Sequence, residues 1–149
     1  MVVRRAHART EIIVLIHNDH AIISARGSGE ILADFTRAVQ RADRIVAHNL
    51  DFDWKVVEAA CCRAGVPSAF ATNPVPYCTA RNGVPLCAIW ADRANGSRFL
   101  RFPKLWELHE ELFNDRPGHL HDALADVLIC LRCYARMQHE TDLLHCSRA

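Results

Sequence analysis

No apolar run in this 149-residue chain approaches the roughly 20 residues of a membrane-spanning helix, so nothing in it reads as an anchor. Residues 1–9 are basic, but no apolar stretch with a small-residue cleavage site follows, so no secretory leader is read there. An excess of one charge is also lacking. Eighteen Lys and Arg face seventeen Asp and Glu, a balance of +1. A protein that coats nucleic acid shows a clear basic surplus. Here a polyanion would have to be drawn by a local patch or by bound metal ions. Repeats and low-complexity tracts are absent as well. With half its residues apolar and 23% charged, the chain has the composition of one folded domain with a substantial core.

Seven cysteines are many for this length, but the number is odd and the spacing irregular. They are expected to be free thiols in a reducing, cytoplasmic compartment. Cys130 and Cys133 have the spacing of a zinc half-site. No second C-x-x-C accompanies them, and both fall inside a helical apolar pattern, so they are expected to be buried core thiols.

Glu11–Ile16 is rich in β-branched residues and predicts a strand, with a second short run at Ala21–Ile23 after the Asn18-Asp19 pair. Apolar residues at Ile31, Phe35, Val39 and Ala42 predict an amphipathic helix over 29–42. Arg44–Ala47 suits a buried strand that stops at His48-Asn49. A helix over 51–64 follows, with Phe52, Val56, Ala60 and Ala64 on one face and Gly65 and Pro67 as its stop. Residues 66–98 read as irregular, with an edge strand at Tyr77–Thr79. Phe102-Pro103 opens a helix whose Leu105, Leu108 and Leu112 form a stripe, and 114–118 is a loop. The last helix, 122–138, has Leu124, Val127, Leu128, Leu131, Tyr134 and Met137 as its expected core face. The tail beyond His139 is expected to fray.

Two acidic segments carry the chemistry. Ala47-His48-Asn49-Leu50-Asp51-Phe52-Asp53 joins a buried strand to a helix, and strand ends in open α/β sheets are where ligands bind. His121-Asp122-Ala123-Leu124-Ala125-Asp126 opens the final helix. Taken singly, Asp51 or Asp122 serves equally well as a helix N-cap, and Asp126 as an acid near the positive end of a helix dipole.

Together these segments resemble the DEDDh 3′→5′ exonucleases, whose signature is His-Asn-x-x-Phe-Asp followed much later by His-x(4)-Asp. Pro76-Tyr-Cys-Thr-Ala-Arg81 is similar to that family's Cys-Thr-Met-(Lys/Arg) segment. Phe102-Pro-Lys-Leu-Trp-Glu-Leu-His-Glu-Glu-Leu-Phe113 is similar to its Trp-Pro-Lys-Leu-x-Glu-Leu-(Tyr/His)-x-x-Leu-Phe helix. The matches run in the correct order over about residues 30–137. The resemblance implies an α/β, ribonuclease-H-like fold. It implies Asp53 and Asp126 as ligands of Mg²⁺ or Mn²⁺ and His121 as the general base. His48, Asn49 and Phe52 would position the terminal nucleotide of a DNA or RNA 3′ end. Two ions about 3.5–4 Å apart would activate water and stabilise the leaving oxygen. Carboxylates suit such hard cations, and an imidazole titrating near neutrality suits the proton transfer.

One element of the family pattern is missing. Its first motif, Asp-x-Glu on the opening strand, occurs nowhere in the chain. The only acid-x-acid triplets are Asp51-Phe52-Asp53 and Glu140-Thr141-Asp142. The expectation is an incomplete central sheet with an exposed edge open to self-association. Hydrolysis would be weak or absent, either because the chain is a fragment or because it is a shortened protein that binds without cutting.

Overall fold

The computed structural model describes residues 2–4, 11–15, 28–71, 74–118 and 123–144. The described elements, in chain order, are β1 (Val2–Arg4), β2 (Glu11–Leu15), α1 (Ser28–Gln40), β3 (Arg44–Ala47), α2 (Leu50–Ala64), β4 (Val75–Cys78), α3 (Thr79–Cys87), β5 (Trp90–Asp92), β6 (Arg98–Leu100), α4 (Leu105–Phe113) and α5 (Ala123–His139). The fold is mixed α/β. The chain divides into two compact units, Met1–Tyr77 and Cys78–Ala149. The expected run at Ala21–Ile23 lies outside the described residues.

In the first unit the strands follow the order β1-β2-β3-β4. β1 and β2 pair antiparallel, whereas β2 and β3 run parallel, with Ile13 level with Ile45 and Leu15 level with Ala47. A parallel pair needs a crossover, and α1 lies on it. Ile45, Val46 and Ala47 are fully buried, as a strand covered on both faces must be. Val39 of α1 is buried as expected. The face of α2 is not the expected one. Leu50, Asp53 and Cys61 point inward, while Phe52 is 47% exposed and Ala64 lies outside. Trp54 sets this rotation. Its ring stacks on Phe70, with centroids 3.8 Å apart, and Phe70 meets Phe35 edge-on at 6.1 Å. An aromatic cluster of this area outweighs the small alanines that suggested the other stripe.

The second unit corrects the sequence reading of 66–98 as irregular. It contains helix α3 and the antiparallel hairpin β5–β6. Pro85 within α3 removes one backbone donor, which argued against a helix. Packing reverses that preference. Gly83 lies so close to α4 that a Cβ there would be 2.9 Å from Leu108 Cδ1. The fully buried Leu108 thus fits against bare backbone. The Cys78 sulfur caps the start of α3, accepting from the Arg81 amide at 3.4 Å. Thr79, Cys130, Cys133 and Tyr134 complete this core, with Thr79 Oγ1 and Cys130 Sγ 3.6 Å apart.

The burial of Cys130 and Cys133 agrees with the sequence, but the surrounding stripe does not. Val127, Cys130, Cys133, Tyr134 and Ala135 are buried, whereas Leu124 and Leu128 are about half exposed. The inner face combines Cys130, Cys133 and Ala135 with Val127 and Tyr134, and it is the face that meets α3 and α4. Beyond α5, residues 140–142 keep hydrogen bonds to the helix. The Thr141 amide bonds Ala135 O at 3.4 Å, and Asp142 makes two hydrogen bonds to Arg132.

Candidate functional site

β3 delivers the chain to His48 and Asn49 with no room to spare, because the next residue already begins α2. Asn49 makes this corner in the left-handed region, at φ 72 and ψ 50. That conformation costs most residues about 1–2 kcal/mol, and asparagine tolerates it best after glycine. Its side chain makes no capping hydrogen bond, although it stands at the N-cap. Asn49 and not Asp51 therefore holds the N-cap position, so the helix-cap reading of Asp51 falls.

One turn into the helix the two acidic residues part company. Asp51 is exposed, whereas Asp53 is only 5% exposed. The positive end of α2 favours a carboxylate there. His48, Asp51, Phe52 and Asp53 all have interaction partners. The structure thus gathers four expected residues, His48, Asn49, Phe52 and Asp53, at one junction, with the Phe52 ring half exposed and the Asp53 carboxylate withdrawn.

The other expected residues belong to the second unit. Asp126 is half-buried in the first turn of α5, beside the buried Val127. His121 and Asp122 lie outside the described residues.

The expected ion pair needs a cluster of oxygen donors. Among the described residues no group of three or more His, Cys, Asp or Glu side chains is placed to hold a metal ion. The first unit offers Asp53 as its one buried carboxylate among the described residues. On the neighbouring strand the described residues level with Ile45, Val46 and Ala47 are Ile13, Val14 and Leu15. Among the described residues these donors are not gathered into a two-ion cluster. A single Mg²⁺ drawing most of its oxygens from phosphates and water is the most that one carboxylate can hold.

Charged groups elsewhere in the second unit form tight pairs that the sequence did not reveal. Arg101 grips Glu107 with two hydrogen bonds of 2.8 and 2.6 Å, and the Lys104 amide donates to the same carboxylate. The Arg101 guanidinium is the main reason the Glu107 carboxyl titrates below its ordinary range. Arg132 donates twice to Asp142, at 2.8 Å each, and once to His109 Nε2 at 2.8 Å. It also lies 3.8 Å above the Phe113 ring. His109 donates from Nδ1 to the Asp115 carbonyl at 2.7 Å. It is therefore the neutral Nδ1–H tautomer, a structural histidine. Burial pushes the Cys133 thiol well above its ordinary range.

The sequence reading also missed the exposed aromatic and basic hairpin β5–β6. Its signal was present in Asn95-Gly96, a turn pair between two short β-prone runs. Cys61, Cys62, Cys78, Cys87, Cys130 and Cys133 are free. Among the described residues no helix is long and apolar enough to cross a membrane. The chain matches no protein-family model, no curated protein and no solved structure.

Proposed function

We propose that this chain is a 3′→5′ exonuclease-type domain of ribonuclease-H-like architecture that holds the 3′ end of a nucleic acid and, as these 149 residues, cleaves it weakly or not at all. The observation that carries the binding half is the β3–α2 corner. A strained, exposed Asn49, a half-exposed Phe52 and a withdrawn Asp53 lie within five residues there. An amide, an aromatic face and a carboxylate are what a terminal nucleotide requires for hydrogen bonding, stacking and cation-mediated phosphate contact. Asp126 and His121 join the proposal through the resemblance of their segment.

The weak-cutting half is supported by the sequence, in which the family's Asp-x-Glu motif does not occur. Divalent ions, Mg²⁺ or Mn²⁺, would supply water activation and leaving-group stabilisation when bound, each worth several kcal/mol of barrier. With carboxylates for at most one ion, turnover should fall at least about a thousandfold below that of an intact relative, from ~1.4 kcal/mol per decade.

The test is release of mononucleotides from a 5′-labelled oligonucleotide with Mg²⁺ or Mn²⁺, alongside binding of the same oligonucleotide. Binding that weakens in Phe52→Ala, with little turnover, is expected. Robust turnover abolished by Asp53→Asn would show that another group completes the ion site, and the weak-cutting half would be wrong. Binding indifferent to Asn49→Ala, Phe52→Ala and Asp53→Asn would remove the corner as the site.

A further inference from the structure

With a total charge of +1, the chain needs a local basic patch if it is to attract a polyanion. Residues 90–107 contain one. They hold Arg93, Arg98, Arg101 and Lys104 against Asp92 and Glu107, a surplus of two, so the rest of the chain is net negative by one. Glu107 neutralises Arg101. Arg98 meets Asp92 at 3.4 Å, but both side chains are largely exposed, and such pairs are weak. Arg93, Arg98 and Lys104 remain for an outside anion.

This charge sits on a rigid frame. β5 and β6 pair in register, Trp90 with Leu100 and Asp92 with Arg98. Their turn is closed by Arg93 N to Ser97 O at 2.8 Å and Gly96 N to Arg93 O at 2.9 Å. Gly96 adopts φ 80 there, which a side chain would resist. Asn95 accepts from the Ser97 amide and hydroxyl. The alternation of the strands puts Trp90, Asp92, Arg98 and Leu100 on one face. That face is open, with Trp90 54% and Leu100 39% exposed. The Arg98 guanidinium lies 5.3 Å from the Trp90 ring, and Arg93 lies 4.8 Å from Phe99. An indole left half in water with the Arg98 guanidinium beside it sets a stacking surface next to a phosphate partner, while Arg93, against Phe99, adds its charge on the other face of the hairpin.

We propose that the β5–β6 hairpin is a docking platform for single-stranded nucleic acid, with a base stacked on Trp90, the adjoining phosphate paired with Arg98, and a neighbouring phosphate drawn by Arg93 on the other face of the hairpin. The inference rests on the functional reading above only for the choice of polyanion. A single strand is favoured over a duplex because an exposed ring can stack only on a base whose face is free.

The experiment is fluorescence anisotropy of the full chain with labelled single-stranded DNA and RNA of mixed sequence, at low salt in EDTA, with folding of each variant checked by circular dichroism. Trp90→Ala should weaken binding about tenfold or more, and Trp90→Phe should retain most of it. Arg93→Gln/Arg98→Gln should lower the slope of log affinity against log salt by about 0.7 for each phosphate left without its arginine. If the native chain binds no oligonucleotide, or if Trp90→Ala and Arg93→Gln/Arg98→Gln bind like it, the platform is refuted. Loss of self-association in Trp90→Ala without any change in oligonucleotide binding would refute it in favour of an interface between copies. Binding lost in Asn49→Ala and Phe52→Ala but kept in the hairpin variants refutes the platform and leaves the exonuclease-type reading standing. The reverse pattern supports the platform and removes the corner.

Discussion

Replacing Arg132 by methionine should expose how the second unit is held together. The guanidinium has three partners: the Asp142 carboxylate, His109 Nε2 and the Phe113 face. The Arg132 and Asp142 side chains are only 14% and 17% exposed. Removing one member of a fully buried pair costs about 3–5 kcal/mol. Asp142 is near the end of the described chain and can swing partly into water, so about 2 kcal/mol is the appropriate share here. The orphaned His109 acceptor adds about 1 kcal/mol. Methionine keeps part of the contact with Phe113 through its sulfur. The sum, about 3 kcal/mol, corresponds to a fall in Tm of about 6–12 °C for a domain of this size. Arg132→Met/Asp142→Leu should recover much of the deficit, because no charge is then left in the pocket. Urea titration followed by circular dichroism reads the midpoint, with an unchanged slope showing that only stability has moved. A deficit below about 1 kcal/mol in Arg132→Met, or a double variant as unstable as the sum of the singles, would show that the pair is a solvated surface interaction.

Three further outcomes follow from the same geometry. Asn49→Gly should be nearly neutral in thermal stability, while Asn49→Ala should cost about 1 kcal/mol for the left-handed conformation; equal effects would mean that the corner is unstrained. Because Arg101 lowers the Glu107 pKa in the folded state, the stability it confers is complete above the ordinary carboxylate range and is lost as pH falls through the lowered value. Glu107→Gln should therefore flatten the acid limb of a stability-versus-pH curve, and an unchanged limb would exclude this pair as a contributor. Burial raises the Cys133 pKa, so its contribution is complete below the ordinary thiol range and is lost as pH rises beyond it. A thiol reagent at mildly alkaline pH should label the exposed Cys62 quickly and Cys130 and Cys133 only as the chain unfolds. Rapid labelling of all three would contradict the packing of α5.

The sequence by itself determined the elements whose local preferences and burial agree. β3 carries the apolar run Ile45-Val46-Ala47 and is buried over those three residues. α1, α2, α4 and α5 appear where apolar spacing placed them, and α2 stops at Gly65. It also brought His48, Asn49, Phe52 and Asp53 to the same strand-to-helix junction, since they lie within six consecutive residues. Tertiary structure decided everything that depends on partners distant in sequence. Apolar spacing left the rotation of α2 open until Trp54 stacked on Phe70, and close neighbours fixed which further residues share the inner face of α5 with Cys130 and Cys133. α3 forms despite Gly83 and Pro85 because Leu108 fits where a side chain would otherwise be. Arg132 finds Asp142 ten residues away and His109 twenty-three residues away. No local pattern announces such pairs, because long charged side chains choose their partners only after the backbone has placed them.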